Sequence, residues 1–217
     1  MKNIKTYEGF TDFIKSKVNN TKTLLILKKY GIKNYTINKD GSVDIDGSVD
    51  IDGSFSLAGV NLPSYITPKL TKLPLKFGKV TGNFSCNLNQ LTTLEGVPHT
   101  VGGFFSCNEN KLTSLEGAPN TVGGHFWCRD NNISSFEGLV NIGSNFYCEG
   151  NPLSEIWRII NSKLFSRVSK WDNDKMDFFN DLDIIRGEEI AIERFNFFLE
   201  EMGLDPVEEV KGYKNIY

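Results

Sequence analysis

Histidine is scarce in this chain: His99 and His125 are the only two among 217 residues. No Ser or Asp stands at a fixed offset from either, so a nucleophilic triad is not expected. Cysteine is limited to four residues, a number that suits a reducing compartment but still permits two disulfides. Charge of one sign is missing as well. The 24 Lys and Arg against 27 Asp and Glu give a formal net charge of −3, and the basic residues form no stripe, which argues against a nucleic-acid partner. There is no long apolar run; the strongest short one, LLIL from Leu24, falls far below the roughly 20 residues of a bilayer crossing. The first residues hold no basic segment followed by an apolar stretch, so no secretory signal is expected. The glycine pairs at 102–103 and 123–124 are not followed by Lys-Ser/Thr, so they are not a phosphate loop. Together these absences predict a cytoplasmic protein that is not an enzyme, with no cofactor, no metal, no membrane contact and no nucleic-acid partner.

Aromatic residues are abundant: 16 Phe, 7 Tyr and 3 Trp. Some must fill the core, and the question is which of them face outward. The answer comes from a repeat. The motif Phe-x-Cys-x-x-Asn occurs four times, at Phe84, Cys86 and Asn89, at Phe105, Cys107 and Asn110, at Phe126, Cys128 and Asn131, and at Phe146, Cys148 and Asn151. Apolar pairs follow at Leu91 and Leu94, Leu112 and Leu115, and Ile133 and Phe136, with Leu153 continuing the series. Glu-Gly comes next at 95–96, 116–117 and 137–138, and Val80, Val101, Val122 and Ile142 precede each following motif. Self-similarity at 20 to 21 residues predicts stacked units that bury their apolar faces only on one another. Phe-x-Cys reads as a short strand with both side chains inward, and the Asn as a side chain that satisfies backbone groups at the bend. Cys86, Cys107, Cys128 and Cys148, with Asn89, Asn110, Asn131 and Asn151, are therefore assigned structural roles. Four sulfurs in a line do not make a tetrahedral zinc site, and buried cysteine is an ordinary core residue. The row Glu95, Glu116 and Glu137 is read as solvated turn residues.

The string Phe-x-Cys-x-x-Asn-x-Leu-x-x-Leu, with wording such as LTSLEGAPNTVGGHFWC, resembles the leucine-rich repeat in the short form of bacterial effectors. It is more similar still to the Cys-containing repeat proteins of tailed bacteriophages. The resemblance covers about residues 70–153, with KDGSVDIDGSVDIDG and LTKLPLKFGKVTGNF similar to the leading region of those proteins. It implies an α/β solenoid of short leucine-rich-repeat-like coils with helical N- and C-terminal caps. Some effectors of similar repeat type carry a ubiquitin-ligase domain with a catalytic Cys; no Cys follows residue 148, so that activity is not carried over.

The expected organisation is a helical cap over 1–40, a Gly/Asp-rich strand segment over 41–69, the repeat array over 70–153 and a second helical cap over 154–217. In the first cap Phe10, Phe13, Ile14 and Val18 share a helical face. In the second segment Val43, Ile45, Val49, Ile51, Phe55 and Leu57 alternate between glycines, as strands or a hairpin leading into the array. The interleaved Asp44, Asp46, Asp50 and Asp52 lack an EF-hand pattern and read as a solvated face. The last cap carries helical stripes at Ile156, Ile159, Ile160 and Leu164 and over about 188–202.

Residues that alternate with the inward Phe and Cys must point outward. Stacking gives three rows: Asn83, Phe104, His125 and Asn145; Ser85, Ser106, Trp127 and Tyr147; Asn87, Asn108, Arg129 and Glu149. Aromatic and charged residues gather at one end, as at protein interfaces. The predicted binding face is Phe104, His125, Trp127, Arg129, Asn145, Tyr147 and Glu149. The expected function is a non-enzymatic protein-binding module. Through the resemblance, it would be a phage protein that binds and modulates a bacterial host or defence protein. The alternative is a structural or assembly protein using the array as a spacer. The partner is a protein of unknown identity, and self-association through the Phe-rich terminal helices is the other option.

Overall fold

Very short strands joined at glycine corners build this molecule. The computed structural model describes residues 19–51, 56–57, 60–61, 69–139, 141–164, 178–186 and 189–217. The helical face expected at Phe10, Phe13, Ile14 and Val18 lies outside these residues, as do Asp52 and Phe55. Helical residues 19–29 (α1) lead into β1 (Tyr35–Ile37), β2 (Val43–Ile45) and β3 (Val49–Asp50), then a separate antiparallel hairpin, β4 (Ser56–Leu57) and β5 (Val60–Asn61). Two strands per unit follow: β6 (Phe77–Val80) and β7 (Phe84–Ser85), β8 (Thr100–Val101) and β9 (Phe105–Ser106), β10 (Thr121–Val122) and β11 (Phe126–Trp127), β12 (Asn141–Ile142) and β13 (Phe146–Tyr147).

The strands sort into two discrete sheets. One has the order β1-β2-β6-β8-β10-β12, parallel except for the antiparallel β1 edge. The other, β3-β7-β9-β11-β13, is parallel throughout. This topology overturns the expected α/β solenoid of leucine-rich-repeat-like coils. A leucine-rich repeat gives one strand per unit to a single curved sheet, with a helical or 3₁₀ segment behind it. Here each unit from residue 77 onward gives a strand to both sheets, and no helix separates them. The physical reason lies in Val80, Val101 and Val122. These apolar residues are fully or almost fully buried and pair as strands of their own, so the period of about 21 residues is spent on two strands and two corners. The fold is an α/β arrangement with two separate sheets and few helices.

Between the sheets, equivalent side chains stack. Phe84, Phe105, Phe126 and Phe146 form a column with successive ring centroids 5.8, 4.9 and 5.7 Å apart. Leu91, Leu94, Leu112, Leu115, Ile133 and the four cysteines complete the core. No unit closes this core alone, because each ring column needs a neighbour above and below. β2 and β3 form the first layer. Val43 pairs with Phe77, and Val49 and Asp50 pair with Phe84 and Ser85, so the stack begins at residue 43.

The ends are not purely helical, which corrects the expectation of helical caps. At the N-terminal side, α1 contributes the buried Leu27, but the sheet edge itself is closed by the β1–β2 hairpin. At the other end α2 (Leu153–Leu164) grows directly from the last unit: Leu153 N–H donates to the Ile133 carbonyl and Ser154 Oγ to the Asn151 carbonyl. Helical residues 178–181 (α3) place Asn180 Oδ1 3.0 Å from the Phe136 N–H, which has no further unit to pair with. Then come β14 (Ile185–Arg186), β15 (Glu189–Ala191), α4 (Ile192–Glu201) and β16 (Lys214–Ile216). The three strands form a small mixed sheet, antiparallel β14–β15 and parallel β15–β16. Phe179 links this module to the array, 4.9 Å from Phe136 and 5.1 Å from Phe198 between ring centroids. Among the described residues, no helix is long and apolar enough to cross a membrane.

Candidate binding face on the second sheet

The backbone that carries the face is locked by an asparagine ladder. Each buried Asn accepts from a backbone N–H 18 or 19 residues earlier, Leu70 to Asn89, Leu91 to Asn110, Leu112 to Asn131 and Ile133 to Asn151, all at 2.9–3.0 Å, and in the last three the donor stands two residues past the preceding Asn. Each Nδ2 donates to the carbonyl three residues before it and to a carbonyl of the preceding layer, as Asn110 does to Cys107 and Cys86. The residue just ahead of each ladder Asn sits in the left-handed region (Leu88, Glu109, Asp130 and Gly150, φ +53° to +75°). That turn costs strain for a non-glycine residue, offset by the side-chain bonds the Asn makes immediately after it.

The four cysteines are free and buried. Cys86, Cys107 and Cys128 direct Sγ at the Ser106, Trp127 and Tyr147 carbonyls. Burial pushes the Cys107, Cys128 and Cys148 thiols up, with neighbouring thiols or Glu149 adding to it. Thiolate chemistry is suppressed accordingly. The native protein will show no reaction with an aromatic disulfide reagent at pH 8, and four thiols will react after denaturation; a thiol titrated rapidly in the native state would contradict this. The raised values also set a pH dependence. Below the unfolded thiol value of about 8.5 both states are protonated and the full stability is present. Above it Cys107, Cys128 and Cys148 ionise only in the unfolded chain, so stability falls by about 1.4 kcal/mol per pH unit for each of these three thiols, measurable as a drop in the denaturation midpoint between pH 8 and 10.

Outside the second sheet, Ser85, Ser106, Trp127 and Tyr147 pair in register across β7, β9, β11 and β13. The first layer adds Asp50 to this row. The large residues collect at the late end. Trp127 lies 4.7 Å from Phe104, 5.7 Å from His125 and 6.2 Å from Tyr147 between ring centroids. His125 is also 5.6 Å from Tyr147. The Arg129 guanidinium stands 4.9 Å over the Tyr147 ring while its Nε donates to Glu149 at 2.7 Å. With both side chains 44% and 63% exposed, this pair adds little stability and mainly orients the guanidinium. Asn145 Nδ2 donates to Tyr147 Oη, and the Asn145 N–H donates to His125 Nδ1, which places the imidazole proton on Nε2. Phe104, His125, Trp127, Arg129 and Tyr147 are half-buried, Asn145 and Glu149 exposed. All seven predicted face residues thus fall on one end of one sheet.

At the early end the same rows carry small polar residues, and the surface dips into a trough of about 480 Å³ lined by Asp50, Asn83, Asn87 and Asn108, with Phe104 and Trp127 as one wall. Ser106, only 1% exposed, lies at its floor and donates to Asn87 Oδ1. The sequence reading placed Asn83, Asn87 and Asn108 in the outward rows but did not assign them to the site. Ser48 was not singled out and Asp50 was read only as part of a solvated face, although GSVDI at 47–51 parallels GNFSC at 82–86. Among the described residues, no group of three or more His, Cys, Asp or Glu is placed to hold a metal ion.

No protein family, curated protein or solved structure matches this chain. That finding, with the two-sheet topology, overturns the resemblance to leucine-rich-repeat proteins of tailed bacteriophages and of bacterial effectors. The physical source of the resemblance is plain. The Phe, Cys, Asn and Leu positions that carry it are core and ladder residues, and any stack of short parallel strands with an Asn bend places such residues at such spacing.

Proposed function

We propose that the protein is a non-enzymatic binding module that engages a protein partner through the late end of the second sheet. The observation that supports this reading is the aromatic cluster of Phe104, His125, Trp127 and Tyr147, flanked by Arg129 and Glu149 on the outward face. Aromatic residues and Arg are the side chains that most often carry interface energy. Mutual ring contacts and the Arg129–Glu149 pair hold these side chains in place before binding, which lowers the ordering cost of association.

The test is affinity capture from cells, followed by quantitative binding with the identified protein. Replacing Phe104, Trp127, Arg129 and Tyr147 together with Ala is expected to weaken binding by at least about a hundredfold while the far-ultraviolet circular dichroism stays unchanged. Unchanged affinity in the folded variant would refute the reading.

A further inference from the structure

We infer that the chain associates head to tail with a second copy of itself, α1 of one molecule docking on α4 of the next. The inference uses the two ends of the stack, not the aromatic face of the second sheet, and does not depend on the protein-binding reading.

Charge is unevenly spread along the chain. Residues 1–80 hold 13 Lys and Arg against 7 Asp and Glu, whereas residues 81–217 hold 11 against 20. Exposed apolar side chains are just as polarised. Among the described residues the large ones are Leu24, Leu25, Tyr35, Phe197 and Tyr217. All five belong to the end elements and none to the repeat units between them.

Helix periodicity turns these residues into two matching faces. In α1, Leu27 is buried and Thr23, Ile26 and Tyr30 are half-buried, which leaves Lys22, Leu24, Leu25 and Lys28 on the solvent side. Leu25 is 63% exposed, and Lys22 and Lys28, three residues before and after it, are its neighbours on the helix surface. α4 is built the same way with the opposite charge. Ile192, Phe195, Phe198 and Leu199 are buried. Phe197, 48% exposed, has Glu193 four residues before it and Glu200 and Glu201 three and four after it. Among the described residues, none of Lys22, Lys28, Glu193, Glu200 and Glu201 forms an ion pair. Glu200 and Glu201 also sit in the last turn of α4, which holds no basic residue and where the helix dipole disfavours a carboxylate. A cation from outside relieves that repulsion.

One molecule cannot join its own two faces. α1 runs into β1 at the outer edge of the first sheet, and α4 packs on Phe179 beyond the last layer. The strand layers between them take up about 19 Å of stacking. A second copy brings both complements, Phe197 for Leu25 and carboxylates for Lys22 and Lys28. An anionic membrane matches the lysines but leaves Phe197 and the glutamates unused, and two leucines are a small apolar face for insertion. Because the two faces differ, the contact is heterologous and repeats from molecule to molecule.

The test is sedimentation velocity of the full chain from about 10 μM to about 1 mM, a range suited to a contact smaller than a standard interface. The average mass is expected to grow past the dimer with concentration in about 20 mM salt, and to return to the monomer in about 0.5 M salt. K22E/K28E and E200K/E201K each set like charges against one another and should stay monomeric with unchanged thermal midpoints. In an equimolar mixture of the two, every altered face meets a complementary one, so growth past the dimer should return. A wild type that stays monomeric, growth that stops at a dimer, or a mixture that stays monomeric would overturn the assignment. Binding of wild type to phosphatidylserine vesicles with no growth in mass would overturn it too, giving the α1 face to an anionic surface. The Ala variant of Phe104, Trp127, Arg129 and Tyr147 should associate like wild type; loss of association there would move the contact to the second sheet and refute the end-to-end arrangement.

Discussion

Asn110→Leu is expected to lower the thermal unfolding midpoint by about 12 °C. The side chain is 9% exposed and makes four hydrogen bonds: Oδ1 accepts from Leu91 N–H at 3.0 Å, and Nδ2 donates to the Cys86, Cys107 and Asn108 carbonyls at 3.0, 3.1 and 3.1 Å. Leucine has almost the same shape, so no cavity forms and the loss is polar. Three of these partner groups belong to buried backbone with few substitutes. Each buried group left unpaired costs about 1–3 kcal/mol, and some find other partners by relaxation, so a total of about 4 kcal/mol is expected. For a chain of this size each kcal/mol moves the midpoint by about 2–4 °C. Asn110→Asp should be no milder, because its carboxylate would face three carbonyl oxygens. Calorimetric melts of both variants decide the matter; midpoints within about 3 °C of wild type would show that the ladder does not bear the stack.

The second large effect is expected at Gly123. A Cβ built there lies 2.2 Å from the Gly102 carbonyl oxygen and 3.1 Å from its carbon, both backbone atoms of the adjacent layer. Gly143 repeats the approach one layer on, 2.2 Å from the Gly123 oxygen. Neither atom can rotate away, so Gly123→Ala must spread the first sheet and with it the Val101 and Val122 pairing. The expected outcome is loss of the cooperative transition or of soluble protein. Gly117→Ala is the contrast: its φ of +81° adds backbone strain, but the nearest atom is at 3.4 Å, so a cost of about 1–2 kcal/mol is expected. Comparable melts for the two variants would remove the close-packing argument.

Much of the site was readable from residue order because its determinants are local. Strict alternation of inward and outward side chains is a property of any strand. With a 21-residue period it places Asn83, Phe104, His125 and Asn145 in one row and Ser85, Ser106, Trp127 and Tyr147 in the next. The four asparagines were legible for the same reason, since a polar residue at a recurring bend must satisfy backbone groups that bends leave unpaired.

The number of sheets was not readable. Thr100–Val101 or Thr121–Val122 is too short to carry any periodic signal, and these residues become strands only because the next layer supplies partners in register. The first layer was hidden because the spacing from Val49 to Phe84 breaks the period, with the β4–β5 hairpin inserted between them. The C-terminal module follows the same logic: β15 pairs with β16 across 25 residues, from Glu189 to Lys214, which no local pattern announces. The trough is likewise a product of stacking, in which small residues from the early layers lie beside large ones from the late layers. Residue order by itself determined which side chains face in and which face out, since that depends on one strand's own geometry. Only the tertiary structure decided how many sheets they build and where the surface dips, since those depend on hydrogen bonds between layers about 20 to 35 residues apart.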